Sequence, residues 1–473
     1  MILGKINNVP HIPRMARSEV SALLHLRFRQ KNPMTHTGTL EAGATRQISD
    51  KEATKVAIGA LIGTAMEWYD FFLFSAAAAL IFNVQFFASQ NATAAAMAAF
   101  ATFGVGLVAR PIGGMIFGVM GDKIGRRKTL MVTIVGIGII TGLIGLLPTY
   151  TAIGIAAPIL LVLLRIAQGL FVGGEWSGAM TIVVENAPLH RRARYAALPQ
   201  IGSPIGTILS SGGFFLMTIW LSKANFDAWG WRIPFLAAIP MLLVALYIRS
   251  RLDESPVFKE LMEKGETEKA PIRTTLVESW KQIIIGMAAG MLGIGGFYLV
   301  TAFVVWYGVN VLEYERSLML LGGIIAAVVE IPVLILGGRL GERFGSSKVI
   351  TYGGIFSAII AWPAFMLIDS GNDVLVIVGM TLAVAALSLP YAASGTVLTG
   401  LFPAKTRYTG VGFAQNTAGM ISGFIPLAAT ALVAAASNHW WPAAAMLIFL
   451  SLFTAVAGVI APRMSVDLPG FKH

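Results

Sequence analysis

The chain has 473 residues, of which 56% are hydrophobic and only 12% are charged, and it contains no cysteine. Soluble domains usually carry about 25% charged residues, so this composition could not cover a surface that faces water. It disfavours a soluble enzyme, a disordered chain and a disulfide-stabilised secreted fold. One membrane-spanning helix needs about 20 apolar residues, and the length therefore allows about a dozen helices with short loops.

The apolar residues fall into twelve segments, in which Gly and Pro are as common as membrane helices tolerate. We predict an all-α membrane protein with two pseudo-symmetric six-helix halves, residues 56–249 and 282–461, joined by a charged cytoplasmic linker at 250–281. The predicted spans lie near 56–80, 93–119, 129–147, 151–184, 196–221, 233–249, 282–310, 317–337, 348–368, 374–401, 409–435 and 442–461.

The positive charges show which side of the membrane each loop faces. Of the 35 Lys and Arg residues, 30 lie in the tails and on one set of alternate loops, and three lie on the other set. This asymmetry predicts that both termini are cytoplasmic in a multi-pass protein of the cell membrane. It also explains the net charge of +11, because the basic residues flank apolar spans. Nucleic-acid binding is therefore not needed to account for this charge. Residues 1–55 and 462–473 then form cytoplasmic tails, the first of them basic and disordered; Met34 is an alternative start.

A Gly-rich stretch after the second span recurs 220 residues later, after the eighth. Both copies keep glycine, acid, base and glycine in register, which predicts two related halves with a binding site between them at the membrane midplane. Glycine lets two helices turn back closely, and the acid can face a helix N-terminus or a cation. We expect this turn to latch the cytoplasmic ends of the halves together. The gating residues are Gly121, Asp122, Gly125, Arg126 and Arg127 in the first copy, Glu342 and Arg343 in the second, and Arg407 as the expected partner of Asp122.

The first copy, residues 121–127, resembles the signature loop of the major facilitator superfamily. Residues 165–169 resemble its fourth-helix motif, and Glu185 to Arg191 resemble the acid-to-Arg element that ends the same helix. By this resemblance, Glu185 and Arg191 are also gating residues. The resemblance covers residues 55–460 and is closest to the metabolite:proton symporter family, whose carriers transport shikimate, 2-oxoglutarate, citrate or osmoprotectants. The second copy departs from the pattern, with Ser346 and Ser347 where Arg is usual. The narrower resemblance rests on residues 67–71, 173–176, 231–235, 253–258 and 402–410.

Charged residues inside the spans are the strongest functional candidates, because each costs at least about 2.5–3.5 kcal/mol at the bilayer centre. Glu67 and Asp70 share one face of the first span, where two neighbouring acids favour a proton on one of them. The resemblance implies that Asp70 pairs with Arg165, as in sugar–proton carriers. We expect these three residues to couple proton movement; structural ion pairs between helices are the alternative.

Arg110 has the planar guanidinium that binds a carboxylate through two hydrogen bonds. We expect it to bind a substrate carboxylate, with a pair to Glu67 or Asp70 as the alternative. Glu175 and Glu330 stay open between a functional role and a structural pair. At 100° per residue, Arg165, Gln168, Val172, Glu175 and Trp176 would share one helix face. Packing is the alternative for each remaining substrate-binding candidate: Gln168, Gln200, Tyr298, Tyr391 and Asn416.

We therefore predict a transporter rather than an enzyme, since no metal-ligand cluster, Walker motif or nucleophile arrangement is visible. The predicted function is proton-coupled uptake of a small organic acid, such as shikimate or a di- or tricarboxylate, by a monomer working through alternating access. The proton is the coupling ion, no cofactor is expected, and the partners are the substrate and the bilayer. Uptake of a zwitterionic osmoprotectant such as betaine or proline, and proton-driven export, are the alternatives.

Overall fold

The computed structural model describes residues 50–87, 91–124, 126–173, 175–250, 277–403 and 407–465. Within these ranges, ten helices are long and apolar enough to cross a membrane, and two shorter apolar ones lie at Met131–Leu146 and Arg232–Val244. The described residues are helical without strands, which confirms the predicted all-α membrane fold and its twelve segments.

The twelve predicted spans correspond to helices that we number α1 to α12 in chain order. Four of them are interrupted, and short additional helices lie in the connections at Tyr150–Ile153, Leu189–Arg191 and Lys223–Asn225. The bounds are α1 Asp50–Gln85, α2 Ala92–Val108 with Arg110–Ile124, α3 Arg126–Leu146, α4 Ala156–Val172 with Glu175–Glu185, α5 Arg192–Gln200 with Gly202–Trp220, α6 Arg232–Ser250, α7 Trp280–Asn310, α8 Arg316–Phe344, α9 Ser346–Ile368, α10 Asp373–Gly400, α11 Arg407–Ser422 with Ile425–Ala435, and α12 Trp441–Met464.

Several helices are longer than the apolar segments predicted. α1 begins at Asp50, inside the predicted tail, and α12 ends at Met464, beyond the predicted end of its span. Hydropathy marks only the apolar part of a helix, and polar end turns extend past it. At the start of α1, Asp50 and Glu52 lie in the first turn, where acids stabilise the N-terminal end of the helix dipole. The division into halves at the linker stays a prediction, because residues 251–276 lie outside the described ranges.

Close glycine contacts bring α2 and α4 together in the first half. A Cβ atom on Gly169 would overlap the carbonyl oxygen of Gly106, and one on Gly173 would overlap the backbone at Arg110 and Gly114. Small residues allow this separation of helix axes in membrane proteins. Gly169 and Gly173 therefore serve close helix packing, and this packing places Arg110 beside Arg165.

Both α1 and α7 contain π-helical segments, at Ala78–Phe82 in α1 and at Leu292–Gly296 and Leu299–Phe303 in α7. The 220-residue offset of the Gly-rich stretches brings Leu299–Phe303 within one residue of Ala78–Phe82. These two segments also pack against each other. π-helical turns are rare and frequently occur at functional sites, so the repeat extends to a local distortion in the helices that meet between the halves.

Within the residues described, contacts between the two halves lie toward both ends of the bundle. At the Gln85 end, where α1 finishes, Arg316 Nη1 of α8 lies 2.6 Å from Asp227 Oδ1 in the π-helical segment Phe226–Gly230. At the Asp50 end, where α1 begins, Gly395 of α10 packs on Met180 of α4. Among the described residues, the central side chains Glu67, Asp70, Arg110, Arg165 and Glu330 are each at most 7% exposed, and we call this buried arrangement the occluded conformation.

Candidate functional site

The first half brings two carboxylates of α1 to the middle of the bundle, where both are buried. Glu67 forms a hydrogen-bonded ion pair with Arg110 Nη2 of α2. The Arg110 guanidinium also lies over the ring of Phe71, 4.6 Å from its centroid, an arrangement that favours a cation. Of the two alternatives for Arg110, its pairing with Glu67 is present in this conformation.

Asp70 occupies a separate network one turn along α1. Its Oδ1 accepts hydrogen bonds from Thr141 Oγ1 at 2.5 Å and Gln168 Nε2 at 2.6 Å. Arg165 Nη1 lies 4.0 Å from Asp70 Oδ2 and donates to Gln168 Oε1 at 2.5 Å. The predicted proximity of Asp70 and Arg165 is correct, but Gln168 bridges the two charges rather than lining a substrate cavity here.

The two acids therefore face different cations. The mutual repulsion that we expected from Glu67 and Asp70 on one helix face is replaced by two neighbouring carboxylate–guanidinium pairs. A spacing of three residues places two side chains within about 60° on a helix, which is wide enough for each to find its own partner.

Aromatic rings surround the second cation. Arg165 is 1% exposed, and its guanidinium carbon lies 4.2 Å from the centroid of Phe74 and 5.2 Å from that of Phe103. Its Nε and Nη2 atoms have no hydrogen-bond partner among the described residues. The ring faces supply part of the missing stabilisation, and the cation is held without a full hydrogen-bond complement.

The predicted continuous face on α4 is wrong. The helix ends at Val172, and Gly173 has extended backbone with ψ of 106°, so the face that starts at Arg165 and Gln168 does not continue to Trp176. Trp176 instead donates through Nε1 to Gln200 of α5 at 3.3 Å. A single helical period was assumed across a Gly-Gly step, which is a weak point in a helix.

Glu175, just after this break, faces α1 and α3. Its Oε1 lies 3.3 Å from Thr133 Oγ1, and together with Glu67 it lines a cavity of about 30 Å³ between α1 and α4. This volume is enough for one water molecule. The cavity lies on the Asp50 side of Glu67, and its other lining residues are Gly59, Ala60, Gly63, Thr64 and Ala179.

An aromatic wall faces these charges from both halves. We define it as Trp68 of α1, Tyr298 of α7 and Tyr391 of α10, whose ring centroids lie 6.4–6.5 Å from that of Trp68. The hydroxyl groups of Tyr298 and Tyr391 have no hydrogen-bond partner among the described residues. The structure places both predicted tyrosines, fully buried, at the interface of the halves, and substrate binding by them stays a prediction.

The predicted amides have different neighbours. Gln200 donates through Nε2 to Tyr391 O and Ser394 Oγ, both at 3.2 Å, and so joins α5 to α10 across the halves. Asn416 of α11 faces Gly114 of α2 and is buried. Substrate binding by either residue stays a prediction, since Gln200 already makes hydrogen bonds within the protein.

Only part of the predicted gate falls on described side chains. Gly125 and the side chains of Asp122, Arg126, Arg127 and Glu185 lie outside the description, as does any contact of Gly121. The latch through Asp122 therefore stays a prediction.

Other gate residues are described. Arg191 forms an ion pair with Asp50 at the start of α1, and Arg407 donates through Nε to Thr399 O at 3.0 Å. Glu342 and Arg343 end α8. The turn that follows uses Gly345 at φ 99°, a conformation that L side chains rarely adopt. This glycine has the turning role expected of the Gly-rich stretch.

Comparisons with known proteins agree with this geometry. Residues 60–425 match the family model of the Major Facilitator Superfamily. The chain belongs to this superfamily. The solved structure of a D-xylose–proton symporter superimposes with a TM-score of 0.68 at 19% sequence identity, covering 88% of this chain and 99% of that one.

Curated relatives narrow the family to metabolite carriers. The inner membrane metabolite transport protein YhjE of Escherichia coli is 36% identical over 82% of this chain and 90% of its own length. The shikimate transporter of the same organism is 34% identical over 87% and 95%, and its proline/betaine transporter is 32% identical over 87% and 83%. The chain is thus a multi-pass membrane transporter of the metabolite-transporter branch, and not an enzyme.

Proposed function

We propose that the chain is a proton-coupled symporter that takes up a small organic acid by alternating access. The observation that carries this proposal is the buried Glu67–Arg110 ion pair beside the aromatic wall. A guanidinium at this position is complementary to a substrate carboxylate, and it is already neutralised by a carboxylate of the protein. A substrate must therefore compete with Glu67 for Arg110.

This competition links the substrate to a proton. When a substrate carboxylate takes the place of Glu67 on Arg110, the displaced Glu67 is left in a medium where an unpaired ion is costly. Binding a proton removes that charge. One substrate anion and one proton then enter together, and the centre keeps its charge balance when the halves close.

The second network has a different part in the cycle. Asp70 is held by Thr141 and Gln168, with Arg165 at 4.0 Å. We assign it the step that couples helix movement to proton release, because separating α1 from α4 would strip Asp70 of the Gln168 bridge and change its charge compensation.

We further propose that the Asp50 end faces the cytoplasm, as the Lys and Arg distribution favours. The cavity between Glu67 and Glu175 then lies on the cytoplasmic side of the ion pair. A water molecule there would offer Glu67 a route for its proton toward Glu175. Monomeric function and the proton as the only inorganic co-substrate belong to this proposal.

The relatives support two substrate classes. The shikimate transporter supports a hydroxylated acid, and the unpartnered hydroxyls of Tyr298 and Tyr391 suit such a ligand. The proline/betaine transporter supports a zwitterion, and the aromatic wall suits a quaternary ammonium group. We favour the acid because Trp68, Tyr298 and Tyr391 present polar groups beside a guanidinium, which a trimethylated cation would leave unused.

Uptake into vesicles tests the proposal. The purified chain is reconstituted and given labelled shikimate, a dicarboxylate, proline or glycine betaine, with and without an inward proton gradient. We expect the gradient to drive accumulation of an acid above its external concentration. Accumulation of betaine alone would select the zwitterion, and accumulation of any of these without proton dependence would refute the coupling.

A further inference from the structure

The centre of the second half contains one buried acid that the proposed exchange does not use. Glu330 lies at the midpoint of α8 (Arg316–Phe344), is 1% exposed, and its Oε1 has no hydrogen-bond partner in the described part of the chain. Within the same ranges no Lys or Arg forms an ion pair with it. In this respect it differs from Glu67 and Asp70.

The surroundings of Glu330 come from both halves. Ser203 of α5 faces its carboxyl group, and α5 packs along α8 so that Gly338 meets Ala197. Tyr391 of α10 lies close enough to interact electrostatically with both Glu330 and Glu67. Among the described residues, these two hydroxyl groups are the polar side chains that interact with Glu330, and neither carries a positive charge.

We propose that Glu330 is a second proton-binding site, loaded before the two halves close around it. An ionised carboxylate is tolerated while water reaches the site, but burial without a cation is costly. In the occluded conformation the proton supplies the counter-charge that Arg110 and Arg165 supply in the first half. Because Glu330 lies where α5 of the first half meets α8 of the second, its protonation controls whether these helices can pack.

The link to the central site runs through Tyr391. This side chain belongs to the aromatic wall next to Trp68 and also neighbours Glu330. A ligand that binds the Tyr391 hydroxyl would change the polarity of the environment around the Glu330 carboxyl group. The site thus connects closure of the halves to occupancy of the wall, in addition to the exchange proposed for Glu67.

Infrared spectroscopy of the full-length protein in lipid tests this proposal without a known substrate. We expect a protonated-carboxyl absorption at neutral pH that Glu330→Gln removes. Glu342→Gln, which alters an acid at the end of α8, is the matched control and leaves the absorption unchanged. Ser203→Ala keeps the absorption but shifts its frequency. If the spectra of the parent and Glu330→Gln agree in this region, Glu330 is ionised and the proposal is overturned.

A labelling experiment tests the effect on closure. The chain has no cysteine, so Ser177→Cys on α4, buried against Gly412 of α11, reports opening of the Asp50 end. Raising the pH should increase labelling in the parent background relative to that of a fully exposed cysteine at the same pH, because loss of the Glu330 proton opposes packing; the reference corrects for the thiolate fraction, which rises with pH in any protein. The Glu330→Gln variant should not show this increase in labelling with pH. If Glu330→Gln folds poorly, Glu330→Met should show the same loss of the increase. An unchanged pH response in these variants would refute control of closure by Glu330.

Discussion

The centres of the two halves differ in how they compensate buried charge. In the first half, Glu67 and Asp70 lie beside Arg110 and Arg165, and acids and bases balance. In the second half, Glu330 is the mid-span acid, and the Lys and Arg residues of α7–α12 lie toward helix ends. Within the described residues, the two related halves thus differ: the first pairs its buried acids with arginines, and the second buries Glu330 without an ion pair.

The stability cost of a substitution should depend on which half it lies in. Removing one member of an ion pair leaves the other member buried with less compensation, whereas neutralising an acid that has no cation removes a cost. The halves should therefore respond in opposite directions to loss of charge.

The largest effect is expected from Arg110→Met. It removes the guanidinium that compensates Glu67, and breaking a buried pair typically destabilises by about 3–5 kcal/mol. Adding Glu67→Gln should restore most of the lost stability, since no uncompensated charge then remains. Thermal unfolding in detergent measures both variants. If Arg110→Met alone is as stable as the parent, Arg110 does not stabilise the first half.

The next effect concerns coupling. Asp70→Asn should abolish accumulation driven by the proton gradient while sparing exchange of substrate across the membrane, because Thr141 and Gln168 still hold the amide in place. Thr141→Val is the matched control: it removes one hydrogen bond to Asp70 and keeps the carboxylate. Uphill uptake that survives Asp70→Asn with its proton dependence intact would remove Asp70 from the coupling mechanism.

Arg110→Lys separates charge from shape in the first half. Lysine keeps the positive charge beside Glu67 but cannot form two parallel hydrogen bonds with a carboxylate. We expect the protein to fold and its substrate affinity to fall by at least about 1.4 kcal/mol, which is tenfold. Binding or uptake at varied substrate concentration gives the value. Unchanged affinity would confine Arg110 to a structural role.

The smallest effect is expected where the two halves meet at the Gln85 end. Asp227→Asn weakens the pair with Arg316, and partly exposed ion pairs contribute about 0.2–1 kcal/mol. A double-mutant cycle with Arg316→Gln should give a coupling energy in this range, read from labelling of a cysteine placed beside the pair. Additive effects of the two substitutions would mean that the contact does not hold this end closed.

Sequence reasoning identified the twelve spans because apolar length is a local property. It also brought Asp70 and Arg165 together, although by resemblance rather than by physics. It missed Thr141 as a ligand of Asp70 because a lone threonine in an apolar helix gives no sign of its partner 71 residues away. The break at Gly173 was missed because a constant helical period was assumed.

The pair between Asp227 and Arg316 was missed for a similar reason, since the two residues belong to different halves. Neither residue lies at the centre of a span, where the high free energy of a charge in the bilayer would mark it as a functional candidate. The π-helical segments of α1 and α7 were also unforeseen, because a single inserted residue in a hydrogen-bond ladder leaves the apolar pattern almost unchanged. The sequence pattern predicts the helices themselves but not the contacts between them.

The exposure of the Asp227–Arg316 pair should make the Gln85 end of the protein sensitive to salinity. Its side chains are 31% and 22% exposed, so dissolved ions reach them, whereas the central pairs are shielded. The screening length falls from about 30 Å at 0.01 M salt to about 10 Å at 0.1 M. Under the proposed orientation, a dilute medium would hold the outer end shut and a saline one would loosen it, which makes the external environment a modulator of how readily the carrier loads.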